Sequence, residues 1–113
     1  MPLFAFLYRT TRPLTATELA ERALAVPSWT LQQREAGRVV TVSVFSDEAL
    51  LLQPDSSVPS TAASALAGCT LVDALDMEDA LALARQFPGR AFGTEVEVRP
   101  VKTFVAPPAP TAA

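Results

Sequence analysis

The run LFAFLY at positions 3–8 constrains the fold more than any other stretch of the chain. It is apolar at both phases of a two-residue alternation. A strand with one wet face alternates apolar and polar side chains, whereas a strand covered on both faces is apolar throughout. The run therefore predicts a strand at the centre of a sheet whose two faces are both covered.

A long helix is predicted after this strand. Thr15 and Glu18 have the spacing of a capping box, in which hydroxyl and carboxylate satisfy backbone N–H groups at the helix start. Gly37 is the expected C-terminal stop, and Pro27 is expected to kink or split the helix because it lacks a backbone donor. One helical stripe is apolar and is expected to be buried: Ala16, Leu19, Ala20, Ala23, Leu24, Pro27 and Leu31.

The remaining segments alternate between strand and helix signals. The β-branched run at 39–45 predicts a strand, and residues 49–53 are expected to pair back onto it. Residues 53–64 predict an irregular loop, since they are rich in Pro, Ser and Asp. A third main strand is predicted at 66–72, and a last one at 95–101.

Single residues refine these elements. Gly68, inside the third strand, indicates a bulge or a close approach of another backbone. Asp76 is expected to cap a second helix, which ends before Pro88 and Gly89. Pro100 restricts the last strand to a sheet edge or a strand end.

The resulting order β-α-β-β-α-β predicts an α+β fold of the ferredoxin-like kind. Right-handed crossovers place both helices on one face of the sheet and the first and third main strands at its centre. The uncovered face then predicts a homodimer through the sheet. Residues 1–105 are expected to form this single domain, and residues 106–113 (APPAPTAA) a disordered Pro/Ala-rich tail.

Composition excludes several functional classes. The net charge is −3 and basic residues are scattered, which argues against nucleic acid, because phosphate binding needs clustered Lys and Arg. No apolar run approaches the length of a membrane span.

Cys69 is the single cysteine, which fits a reducing cytoplasm. The chain has no histidine, so zinc sites of the Cys/His kind are not expected. Its four glycines are too dispersed for a phosphate loop, and no cofactor is expected.

The C-terminal half resembles YCII-related proteins, within the dimeric α+β barrel superfamily. The resemblance rests on GCTLV at 68–72, LDMEDAL at 75–81, FP at 87–88 and VEVRPV at 96–101, about a third of the chain in ordered blocks. It implies a sheet-to-sheet dimer that encloses a barrel. This chain departs from the family's pattern at two points, because the family's His–Asp pair and its DGPF signature have no counterpart here.

Two functional classes remain open. The first is a small cofactor-free enzyme that acts on an acidic, phenolic or quinone-like metabolite by lyase, isomerase or cyclase chemistry, as the resemblance implies. The second is a non-catalytic dimeric module that has lost the dyad and binds a small molecule or a protein. A cavity of several hundred cubic ångströms with convergent polar groups would favour the enzyme; a filled interior would favour the module.

Three residues are candidates for ligand binding. Tyr8 ends the central strand, where its hydroxyl can face a cavity, although a core role is the alternative. Trp29 lies off the apolar stripe of the first helix and is expected at a pocket mouth or a dimer seam. Arg34 lies on that stripe and can turn its guanidinium toward a ligand carboxylate or extend to solvent at the helix end. Glu95, Glu97 and Arg99 are expected to form one wet strand face with a structural role.

Overall fold

Four antiparallel strands form the main sheet in the computed structural model, which describes residues 2–61 and 65–109. They are β1 (Leu3–Thr10), β2 (Val39–Val44), β5 (Leu66–Asp73) and β6 (Thr94–Pro100). Their order in the sheet is β2-β5-β1-β6. The first and third main strands are therefore central, as the sequence predicts, and β6 lies at an edge, where Pro100 costs the sheet no hydrogen bond.

Two helices cover one face of this sheet. Helix α1 (Ala16–Glu35) begins at the predicted capping box, with reciprocal hydrogen bonds between Thr15 and Glu18. Helix α2 (Met77–Arg85) is capped by Asp76, whose carboxylate accepts from the backbone N–H of Asp79. A 3₁₀ helix (Pro88–Phe92) leads from α2 into β6. The architecture is α+β, with a strand order compatible with the ferredoxin-like fold.

The core lies between the helices and this face of the sheet. Phe4, Phe6 and Tyr8 alternate along β1 and are buried. They share one cluster with residues from both helices and from β5: Trp29, Val72, Ala80, Leu83, Ala84 and Phe87. Burial of these side chains at roughly 25 cal/mol per Å² is the main term that holds the helices to the sheet.

The opposite side of the sheet, here called the bare face, is covered by no element of residues 2–61 and 65–109. Its centre is apolar and only half-buried; its side chains are Leu3, Ala5, Leu7, Cys69 and Leu71. Charged side chains of β1 and β6 surround it. Arg9 donates to Glu97 at 2.9 Å, and Arg99 lies 3.6 Å from the same carboxylate. The structural role predicted for the alternating charges of β6 is thus consistent with these ion pairs.

The orientation of α1 differs from the sequence expectation. The helix is continuous through Pro27, so of the two predicted effects, a kink or a split, the split is wrong. Leu19, Leu24 and Leu31, on the stripe expected to be buried, are exposed, and Trp29 is the buried residue of the helix. A single tryptophan buries more apolar area than several alanines, so packing turns Trp29 inward and rotates the predicted stripe outward.

The connection from β2 to β5 also differs. Residues 49–53 do not pair with β2; instead β3 (Leu50–Leu51) pairs with β4 (Ser60–Thr61) in a separate small hairpin. β5 occupies one edge of β2, and the other edge has no strand partner among the described residues. We call residues 46–61 the arm.

Residues 101–109, which follow β6, have no regular secondary structure. Residues 106–109 of the predicted tail are exposed, and residues 110–113 lie outside the described residues. In the described part of the chain, no helix is both long and apolar enough to cross a membrane.

Candidate functional site

A small recess lies between α1 and the helix-facing side of β1, β2 and β5. Gly68 is paired with Tyr8 on one side and with Val44 on the other. Because position 68 carries no side chain, the space beside the Tyr8 ring stays open, and the recess has a volume of about 60 Å³. A Cβ atom on Gly68 would lie 2.6 Å from the carbonyl oxygen of Ser43. The predicted bulge and close approach at Gly68 are therefore both confirmed, and they shape the recess.

A buried pair of hydroxyls forms the floor of the recess. The Tyr8 hydroxyl lies 2.9 Å from Oγ1 of Thr70, and both residues are almost fully buried. Two hydroxyl groups that share one hydrogen bond use only one of their two protons. No second hydrogen bond of either hydroxyl is found among the described residues, so one proton remains that a ligand oxygen in the recess could accept.

The environment of Tyr8 fixes its protonation. Its ring stacks on Phe87 with centroids 4.5 Å apart. Burial raises the pKa of Tyr8 from 10.0 to about 12, and the hydrogen bond with Thr70 opposes this rise only in part. The phenol is therefore protonated at neutral pH. It is a hydrogen-bond donor and cannot serve as a base there.

Outside the recess, two adjoining hollows of about 380 and 350 Å³ form a groove along α1 and β2, here called the outer groove. Both hollows include Val26, Pro27 and Val44. The other residues of the groove are Leu19, Arg22, Ala23, Thr30, Leu31, Arg34 and Val42. Its walls are mostly apolar, and Val44 is 85% exposed there. The exposed stripe of α1 is thus one wall of this groove.

Two arginines provide the charge of the site. Arg22 lines both the recess and the outer groove, and Arg34 lines the outer groove. Neither has an acidic partner among the described residues, whereas Arg12 and Arg38 are paired with Glu18 and Asp79. No Asp or Glu side chain of the described chain lines the recess or the groove. The local field favours an anion.

The structure separates the three candidate residues. Tyr8 lines the recess and also belongs to the buried core, which are the two roles that its sequence position left open. Arg34 is exposed in the outer groove, so the expectation that it lies on a buried stripe is wrong, although it does face a hollow. Trp29 lies in the core against Phe87, not at a pocket mouth, with ring centroids 5.5 Å apart. Its indole Nε1 is buried and has no hydrogen-bond partner within the described residues.

Sequence reasoning missed Arg22 and Thr70. Thr70 is one position of a strand whose neighbours across the sheet are unknown until the register is set. Arg22 lies one turn before Val26, and only the rotation of α1 places both beside β2. Gly68 was the one local signal of this site, because a glycine inside a strand indicates a close approach.

The site offers hydroxyl and guanidinium groups rather than metal ligands. No group of three Cys, Asp or Glu side chains in residues 2–61 and 65–109 could hold a metal ion. Cys69 lies on the bare face, away from the recess, and burial raises the pKa of its thiol.

A scan against models of protein families finds no match, and a search of curated proteins finds no match to this chain.

Proposed function

We propose that this chain is a small-molecule-binding module of the YCII-like kind, which binds an apolar organic anion between α1 and β2. One observation carries the proposal. The polar groups at the recess and the outer groove are guanidinium and hydroxyl groups, and no carboxylate of the described chain lines either. Such a set of groups attracts a carboxylate or phenolate and repels a cation.

The dimensions define the ligand further. One water-sized group needs roughly 10–15 Å³ of such a cavity, so the recess admits roughly four to six of them. A carboxylate head fits this space, with Arg22 and the free hydroxyl proton of the Tyr8–Thr70 pair as its donors. The apolar body of the ligand would then lie in the outer groove against Val26 and Val44.

Binding without turnover fits the site better than catalysis, because the recess that gathers the hydroxyl groups measures only about 60 Å³ and the larger hollows are mostly apolar. A raised pKa makes Tyr8 a poor acid as well as a poor base near neutral pH. The specific observation that favours the enzyme is the same free proton, because a fixed O–H donor can stabilise a developing oxyanion. A cofactor-free lyase or isomerase is therefore the second candidate, and it would use the same recess.

The proposal includes a homodimer through the bare face. Support comes from the apolar centre of that face, its charged rim and the doubly apolar pattern of β1, which fits a strand covered on both sides. Two such sheets, face to face, would form the dimeric α+β barrel implied by the YCII resemblance. Leu7→Glu should give a monomer in light scattering, whereas Leu24→Glu, on the exposed side of α1, should leave the dimer intact.

A thermal-shift screen of aliphatic and aromatic carboxylates tests the ligand proposal. For a carboxylate that stabilises the protein, Arg22→Gln should weaken binding by about tenfold or more, since a charge-assisted hydrogen bond contributes about 1.5–3 kcal/mol. Arg85→Gln, on the exposed end of α2, is the matched control and should bind as wild type. Equal affinities for the two variants would refute the site. Conversion of the bound carboxylate, followed by NMR, would favour the enzyme.

A further inference from the structure

The arm carries an apolar surface that its own chain does not cover. Leu50, Leu51 and Leu52 follow one another and are 65%, 48% and 64% exposed. Asp47 and Glu48 precede them, and neither has an ion partner among the described residues. Three exposed leucines beside two free carboxylates are typical of a segment that docks onto an apolar and basic surface.

The arm is attached to the sheet at both ends. At its start, the backbone N–H of Phe45 donates to the carbonyl of Ala67 at 2.9 Å; past its end, the carbonyl of Ala65 accepts from Thr10 at 3.0 Å. Both ends of the connection are therefore tied to the sheet. The radius of gyration is 16.3 Å, larger than the roughly 13 Å of a compact chain of this length, as projecting segments would produce.

The outer groove has the complementary properties. Val26, Leu31 and Val44 give it apolar walls, and Arg22 and Arg34 have no acidic partner in the described part of the chain. β2 is an edge strand, so the groove opens at the edge of the sheet, where another molecule can reach it. An acidic and leucine-rich segment matches this groove in both charge and apolarity.

We propose that the outer groove receives the arm of a second copy of this chain. Leu50–Leu52 would pack on the apolar walls, with Asp47 and Glu48 near the two arginines. The chain's own arm is a poorer occupant, because only five residues separate Val44 from Leu50 and the hydrogen bond from Phe45 to Ala67 holds the first of them beside β5. The arm and the ligand would use the same apolar walls and Arg22, so they would be alternative occupants of the outer groove, and the contact does not require the ligand.

Disulfide trapping between two different chains tests this contact. Cys69→Ala removes the single native thiol. Leu51→Cys in one chain should then form a disulfide with Leu31→Cys in the other and give a covalent dimer on non-reducing gels. Leu24→Cys, exposed on α1 but outside the groove, is the matched control and should give none. A chain that carries both Leu31→Cys and Leu51→Cys provides a further check: an internal disulfide in the monomer would overturn the proposal. Equal cross-linking of the control pair would overturn it as well.

Charge reversal provides a second and independent test. Asp47→Arg with Glu48→Arg makes the arm basic, and Arg22→Glu with Arg34→Glu makes the groove acidic. Each reversed chain alone would oppose like charges, so its trapping yield should fall about tenfold or more. A mixture of the two should regain the wild-type yield, because each arm then meets a groove of opposite charge. Unchanged yields for the single reversals would refute the charge match, and circular dichroism checks that each variant is folded.

The outcome for the arm is separable from that for the bare face. If Leu7→Glu gives monomers while Leu51 and Leu31 never cross-link in wild-type dimers, the sheet-face dimer stands and the arm contact fails. If the cross-link forms at the same yield in Leu7→Glu, the arm contact stands without the sheet-face dimer. Ligand affinity of Arg22→Gln, compared with that of Arg85→Gln at a protein concentration at which light scattering gives monomers, decides the ligand proposal apart from both, because no partner arm then reaches Arg22.

Discussion

Removal of the Tyr8–Thr70 hydrogen bond should show that its two hydroxyls depend on each other. Tyr8→Phe removes the hydrogen-bond partner of the Thr70 hydroxyl, and Thr70 is only 3% exposed. The cost of such a buried, unpaired group is about 1–3 kcal/mol. Thr70→Val leaves the phenol of Tyr8 in the same position, and a similar cost is expected.

The double variant distinguishes this hydrogen bond from simple packing. Replacement of both hydroxyls by apolar groups of the same shape is nearly neutral, so Tyr8→Phe with Thr70→Val should be about as stable as either single variant or more stable. The coupling free energy should therefore be at least about 1–3 kcal/mol, the cost of one single variant. Urea denaturation measures it from the midpoints, provided the slope is unchanged. Thr41→Val, at an exposed position of β2, is the control and should change stability by less than about 0.5 kcal/mol.

Additive costs in the double variant, within about 0.5 kcal/mol, would refute the buried bond and with it the free proton at the recess. Alkaline titration gives a second readout, because Tyr8 is the only tyrosine. Its ultraviolet absorbance should change near pH 12 in the folded protein and near pH 10 in the unfolded one. The unfolded chain releases its proton first, so this residue's contribution to stability is complete below pH 10 and declines between pH 10 and about 12.

Three further predictions follow from single contacts. Trp29→Phe should lower the free energy of unfolding by less than about 1.5 kcal/mol, because it removes some apolar area but also a buried N–H that has no partner. Trp29→Ala should lower it by about 3–5 kcal/mol. If urea denaturation gave the same loss for both variants, the N–H would have a hydrogen-bond partner. Arg12, and next the backbone N–H of Thr15, lower the pKa of Glu18 from 4.5 to about 2, so its contribution is present above pH 4.5 and is lost as pH falls toward 2. Glu18→Gln should flatten thermal stability across that window, and an unchanged slope would contradict it. Gly68→Ala should destabilise by about 1–3 kcal/mol, because the new Cβ meets the backbone of β2, and a wild-type urea midpoint would refute this.

Local sequence signals determined the elements and their boundaries. The capping box at Thr15 and the cap at Asp76 could be predicted, because a capping side chain acts on backbone groups two or three residues away. The central position of β1 followed from its doubly apolar pattern, and Gly68 indicated the backbone approach that opens the recess. In each case the interacting groups are neighbours in the chain or the pattern repeats within one element.

Tertiary packing decided the rest of the site. An amphipathic pattern gives the period of a helix, but it fixes the rotation of the helix only weakly when much of the apolar stripe is alanine. In α1 the rotation is set by Trp29, which is buried against Phe87. That rotation brought Arg22 beside Thr70 and left Arg34 exposed in the outer groove. The same holds for the arm: Leu50 and Leu51 pair with Ser60 and Thr61, although one edge of β2 has no strand partner among the described residues. Partners distant in sequence compete for one edge or one face, and only the folded chain determines which of them occupies it.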